Sequence, residues 1–223
     1  MRFDSLDAFI DSHRRVPPKG PLALILAEDG VEVDTTLRHH LAAGFGTVVL
    51  LANPDLPLSA RLAEDITRID LDAHAENALV AAVNTVNDAF PDLWVYYCFN
   101  AEYLFHPFCE SRSIGELLAF HTEERRASML TYVVDLYAGD LTAAPNAVSL
   151  EDAHLDRSGY YALARTDPAR NWQPKERQLD FYGGLRGFLD SFDLAGSGQA
   201  YENVKVSGLG TSLEIQARGQ KSD

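Results

Sequence analysis

The run Pro21–Ala27, PLALILA, carries no polar side chain, and it constrains the fold more than any other stretch. It has the length of a strand rather than of a buried helix. A strand that is apolar on both faces must be covered on both, as in a parallel sheet flanked by helices. A second run, Thr47–Leu51 within GTVVLLAN, repeats the pattern. Between the two, Leu37, His40, Leu41 and Phe45 share one helical face from Asp34 onward, and Gly44 stands near the end of that helix. The alternation continues with a loop and short helix over Pro54–Ala63, a third and more exposed strand in ITRIDLDA, a helix over Ala75–Phe90 and a strand over Trp94–Phe99. Strand and helix in regular order predict an α/β fold with a mostly parallel central sheet and crossover helices.

The flanking segments are of other kinds. Leu6, Phe9, Ile10 and His13 recur at helical spacing before Pro17 and Pro18, so residues 1–20 are expected to form an N-terminal helix and linker. Ser113–Glu116, SIGE, has the form of a capping box that opens a helix through Leu117, Leu118 and His121. A strand is expected over Met129–Tyr137 and a short helix near Leu150–His154. In the tail, residues 195–223, YENVKV and SLEIQA alternate around SGLG and predict a C-terminal β-hairpin. The α/β domain between these ends is expected to span 21–194.

Charge narrows the classes of partner. Lys and Arg number 19 against 33 Asp and Glu, a formal charge of −14. That field repels phosphate backbones, and the short mixed runs HTEERR and KERQ make no basic stripe, so nucleic acid is not an expected partner. The only cysteines, Cys98 and Cys109, lack CxxC or Cys/His spacing, so neither a disulfide framework nor a structural zinc site is indicated. The N-terminal segment has acids among its apolar residues and no long apolar core, and no run approaches the ~20 apolar residues of a membrane span. A cytoplasmic protein without an integral membrane span is the expectation.

Candidate chemistry collects where the strands end. WVYYCFNAEYLFHPF, Trp94–Phe108, has the densest aromatic content of the chain, and Asn100 and Glu102 follow its strand at once. AEDG places Glu28 and Asp29 at the equivalent end of the first apolar run. In open α/β sheets, ligands bind outside these carboxyl ends. Each acid has two readings: a ligand contact, or a carboxylate that is solvated or caps nearby amides. The adjacent His39 and His40 cannot both face the core, which favours one buried and one outer histidine over a metal pair.

Three segments in order resemble glycosyltransferase family 2 proteins of a bacterial subgroup. They are LRHHLAAGFGTVVLLAN, WVYYCFNAEYLFHP in place of that subgroup's Trp-strand-Asp-x-Asp segment, and DFYGGLR at Asp180–Arg186. The resemblance spans about Pro21 to Arg186 and implies a GT-A-like fold, a nucleotide-sugar donor, and a glycan or small acceptor. It also implies Mg²⁺ or Mn²⁺ at the Asp-x-Asp position, where an oxygen-ligated ion neutralises the diphosphate leaving group. This chain departs from that motif. In one register Phe99, Asn100 and Ala101 stand in its place; in the other, Asn100 and Glu102 are left as the metal pair. The resemblance makes Glu28, Asp29, Asn100, Glu102 and Arg186 the donor-binding set, with Glu151, Asp152 or Asp156 as the base for the acceptor hydroxyl. Loss of metal-dependent catalysis, leaving a binding or assembly module, is the alternative that the departure raises.

Overall fold

A computed structural model describes residues 1–131, 136–155, 166–167, 171, 173–174 and 212–214. The chain divides into two compact units, Met1–Thr131 with Asn203–Gln216, and Tyr132–Glu202 with Ala217–Asp223.

The first unit is an α/β layer structure. Its elements in chain order are β1 (Arg2–Phe3), α1 (Leu6–His13), β2 (Leu22–Ala27), α2 (Val33–Ala42), β3 (Thr47–Ala52), α3 (Ala60–Asp65), β4 (Thr67–Asp70), α4 (Ala78–Ala89), β5 (Val95–Phe99), α5 (Ile114–Glu123) and β6 (Ser128–Leu130). All six residues of β2 are buried, as the apolar run requires. β2 pairs in parallel with β3 on one side, Leu22 opposite Thr47, and with β5 on the other, Leu22 opposite Val95. β4 joins β3 in parallel, and the two-residue β1 lies parallel on the outer side of β4.

Strand alternation sends side chains to two helical layers. Ala23, Ile25, Val48, Leu50, Tyr96 and Cys98 pack in one cluster with Val33 and Leu37 of α2, Leu62 of α3, and Ile114 and Leu118 of α5. The opposite set, including Leu22, Leu24, Leu26 and Val95, is equally closed from solvent. There α1 packs on α4, with the Phe9 and Phe90 rings meeting edge-on at 6.3 Å between centroids. Burying each such Leu or Phe stabilises the fold by about 1.5–3 kcal/mol, so the sheet core is the main favourable term.

Local signals end the helices where the sequence places them. Gly44 adopts φ +91°, a conformation that few other residues tolerate, and its amide donates to the Leu41 carbonyl, closing α2. At α5, Ser113 accepts from the Glu116 amide while the Glu116 carboxylate accepts from the Ser113 amide, completing the capping box.

The expected strand over Met129–Tyr137 is corrected to two. β6 stays in the main sheet, whereas β7 (Leu136–Ala138) belongs to the second unit and pairs antiparallel with β8 (Ala153–Leu155). An apolar run fixes a strand's composition but not its partner. β8 also replaces the helix expected near Leu150–His154: Ser149 Oγ accepts from the Asp152 amide in a local turn, and Ala153 then pairs with Ala138. Ser and Asp side chains offer the backbone such alternatives to a helix. The second unit also holds β9 (Thr166–Asp167) antiparallel to β10 (Gln173–Pro174).

β4 is less exposed than expected, because Arg68 and Ile69 are both buried beneath β1 and the loop after β3. Of the expected C-terminal hairpin, YENVKV lies outside the described residues. Ser212–Glu214 of SLEIQA forms β11 instead of a hairpin strand: it runs parallel to β6 over its length and meets β5 at Ser212–Val95. The main sheet therefore reads β1-β4-β3-β2-β5-β11-β6.

Candidate functional site

From β2 the chain steps outward to β3 and β4 and then returns to the other side of β2 to place β5. The order therefore reverses between β2 and β5, the position at which open α/β sheets bind ligands outside the carboxyl ends of their strands. β2 ends at Ala27 and β5 at Phe99, so Glu28 and Asp29 stand on one side of this reversal and Asn100 and Glu102 on the other.

Asn100 ties the two sides together. Its Oδ1 accepts from the Glu28 amide at 3.1 Å, and its Nδ2 donates to Asp29 Oδ1 at 2.7 Å and to the Val31 carbonyl at 3.0 Å. Asp29 Oδ1 also accepts from the Val31 amide at 2.8 Å, which shapes the turn into α2. Glu102 Oε2 accepts from the Phe99 amide at 2.8 Å, so the amide-capping reading of this carboxylate is realised. Glu28 and Asp29 are exposed, whereas Asn100 and Glu102 are half-buried.

Further residues extend the join, of which Glu32, Thr35 and Thr36 had no role in the sequence analysis. Glu32 and Ala101 both take left-handed backbone conformations, at φ 52° and 59°. The Thr36 hydroxyl sits between them, donating to the Glu32 carbonyl at 2.7 Å and accepting from the Ala101 amide at 2.9 Å. Thr35 Oγ1 lies 2.6 Å from Glu32 Oε2 and 2.8 Å from the Tyr103 hydroxyl. A single relay accounts for both contacts: Tyr103 donates to Thr35, which donates to Glu32. One turn further along α2, His39 Nε2 meets the Leu104 carbonyl at 2.7 Å. The Thr-Thr pair in the first turn of α2 was the one sequence signal for this seam, since such hydroxyls bond readily to nearby backbone.

Beneath the lip lies a closed aromatic and sulfur layer. His40 is fully buried, its Nδ1 at 2.8 Å from the Thr36 carbonyl, its ring stacked on Tyr96 at 5.3 Å. The carbonyl can only accept, so Nδ1 carries the proton, and Nε2 turns its lone pair to the Cys98 thiol 4.0 Å away. Burial lowers the His40 pKa to about 4. Burial pushes the Cys98 thiol up, and the charge of Glu102 adds to that shift. The histidine is thus neutral and the thiol protonated, a packing pair rather than a nucleophile. His39 is only half-buried, as expected of its adjacent partner.

The donors at the lip do not fit a Mg²⁺ or Mn²⁺ ion as they are arranged. Such ions take about six oxygen ligands. Asn100 Oδ1 faces the Glu28 amide, its nitrogen is turned to the neighbouring oxygens, and Glu102 Oε2 faces a backbone amide. Among the described residues, no group of three or more His, Cys, Asp or Glu side chains converges to hold a metal. What the lip offers is hydrogen-bond acceptance: neither 28–37 nor 95–111 contains Lys or Arg, and Arg38 lies 3.9 Å from Asp34. Exposed carboxylates of this kind suit hydroxyl and amino groups, as the acid that receives a ribose hydroxyl does in dinucleotide-binding sheets.

Glu151 and Asp152 belong to the second unit, where both are exposed. Asp152 Oδ1 lies 2.9 Å from His154 Nε2. Arg186 and the DFYGGLR segment lie outside the described residues, as does Asp156. No helix among the described residues is long and apolar enough to cross a membrane. No protein family, curated protein or solved structure matches this chain.

Proposed function

We propose that this chain is a glycosyltransferase-like domain of GT-A type, in which the carboxyl ends of β2 and β5 receive the nucleoside and sugar of a nucleotide-sugar donor. One observation carries the reading: the order of the parallel strands reverses between β2 and β5, and two exposed carboxylates, Glu28 and Asp29, stand on the lip of that reversal. Ribose and sugar hydroxyls donate to these carboxylates. The acidic lip disfavours a bare diphosphate, so nucleoside and sugar contacts supply most of the affinity. Glu151 and Asp152 remain the proposed bases for an acceptor hydroxyl, the acceptor being a glycan or small molecule.

A second reading, a binding or assembly module without turnover, is favoured by one feature. Asn100 and Glu102, which stand where the resemblance expects metal ligands, are both bonded to backbone amides. Calorimetric titration with UDP, GDP and their sugars tests binding, and release of free nucleotide from a bound donor in the presence of acceptor sugars tests turnover. The proposal predicts binding to at least one nucleotide or its sugar, weakened about tenfold by Glu28→Gln with Asp29→Asn through lost charge-assisted hydrogen bonds. A chain that binds none of the panel is not a nucleotide-sugar protein. Binding without any nucleotide release assigns the module reading.

A further inference from the structure

The two strand-end loops are not independently placed. Asn100 joins them at the outer lip, where its groups are half-buried and can exchange partners with water. Thr36 joins them from below and is fully buried. Its one hydroxyl holds the two left-handed residues, Glu32 and Ala101, one in each loop. The partners differ in what they lose without it. The Glu32 carbonyl also accepts from the Thr36 amide at 2.9 Å, so it keeps another donor. The Ala101 amide is left with its bond to that hydroxyl alone among the contacts described. A part-buried amide that loses its partner costs stability, and a non-glycine residue in a left-handed conformation persists only when its surroundings hold it there.

We propose that Thr36 is a positioning residue of the donor site, setting Ala101, and through it Asn100 and Glu102, against the Glu28–Glu32 loop. The inference rests on the donor reading above and assigns a role within that site to a residue that touches no ligand. The hydroxyl is the working part: without it, Ala101 relaxes from its left-handed conformation, Asn100 shifts, and Glu28 and Asp29 lose their fixed spacing to the β5 side. Valine keeps the shape of threonine but has no hydroxyl, whereas serine keeps the hydroxyl.

The test compares the full chain with Thr36→Val and Thr36→Ser, each read by amide hydrogen exchange of 28–33 and 99–102 and by calorimetric affinity for the tightest-binding member of the UDP and GDP panel. Thr36→Val is expected to accelerate exchange in both segments and to weaken affinity about tenfold, beyond any change in the folded fraction. Thr36→Ser restores both. Should Thr36→Val fail to fold, Thr36→Ser and Thr36→Cys carry the comparison, the thiol being a weak substitute for the hydroxyl. Unchanged exchange at Ala101, or wild-type affinity in a valine variant, overturns the positioning role while leaving the donor reading intact. A wild-type chain that binds none of the panel overturns the donor reading and the positioning role with it, whatever the exchange data show.

Discussion

At the scale of single residues, two buried polar groups set the chemistry of stability. The first is His40. Its pKa in the fold, about 4, lies below its ordinary 6.5, so the unfolded chain takes up the proton first as pH falls. The stability held by neutral His40 is therefore complete above pH 6.5 and lost progressively toward pH 4, by about 3 kcal/mol in all. Urea unfolding of the wild type and of His40→Gln between pH 7 and 4 isolates this slope. The gap between them is expected to shrink on acidification, and a gap independent of pH contradicts the assignment. The second is Arg68. Its guanidinium donates to the Leu56, Asn53 and Pro54 carbonyls and stands 3.4 Å from Asp70, an ion-pair distance without hydrogen-bond geometry. Arg68→Met removes these three part-buried hydrogen bonds and is expected to cost about 2–3 kcal/mol in denaturant unfolding, with Arg68→Lys failing to restore it because the fork is lost.

The legibility of the sequence also divides at this scale. Which histidine lies inside, and that Glu102 can cap amides, follow from residue type and adjacency. The left-handed turns at Glu32 and Ala101 do not, because neither is glycine or asparagine and only the contact between distant loops holds them. The Thr-Thr pair signals only the local half of what Thr36 does: its bond to Glu32 spans 4 positions, whereas its bond to Ala101 spans 65 and leaves no local trace.

Among elements, the helices and the paired strands β2, β3 and β5 were legible because their information is local. β2 declared itself by composition, α2 by helical periodicity ending at Gly44, and α5 by the Ser113–Glu116 box. Ser113→Ala removes the side-chain half of that box and is expected to lower stability by about 1 kcal/mol, with Ser113→Asp keeping most of it; chemical denaturation at pH 7 measures both. Illegible elements were those decided by partners. Met129–Tyr137 has strand composition throughout, yet β6 pairs in parallel within the main sheet and β7 antiparallel with β8. Alternation in SLEIQA was correct as a strand signal, but the partners of Ser212–Glu214 are β5 and β6, more than 80 residues back. Loop-closing pairings of that range leave no local trace.

For the molecule as a whole, a parallel sheet whose order reverses between β2 and β5 ends in a lip that is acidic and held together by its own side chains. The composition agrees with the lip: a formal charge of −14 and acids at Glu28, Asp29 and Glu32 favour neutral, hydroxyl-bearing groups over bare phosphate. The position of the lip was legible from where the apolar runs end, and the capping by Glu102 from its place three residues past Phe99; the engagement of Asn100 was not, because it depends on contacts across more than 70 residues. The most direct measurement is thermal unfolding of the full chain with UDP, GDP and their sugars, each with Mn²⁺ and with a chelator. The account predicts a rise in Tm with at least one nucleotide or its sugar, equal in the two conditions, and about 2.7 kcal/mol of stabilisation when the ligand is at a hundred times its Kd. No rise with any ligand, or a rise that appears only with Mn²⁺, contradicts it.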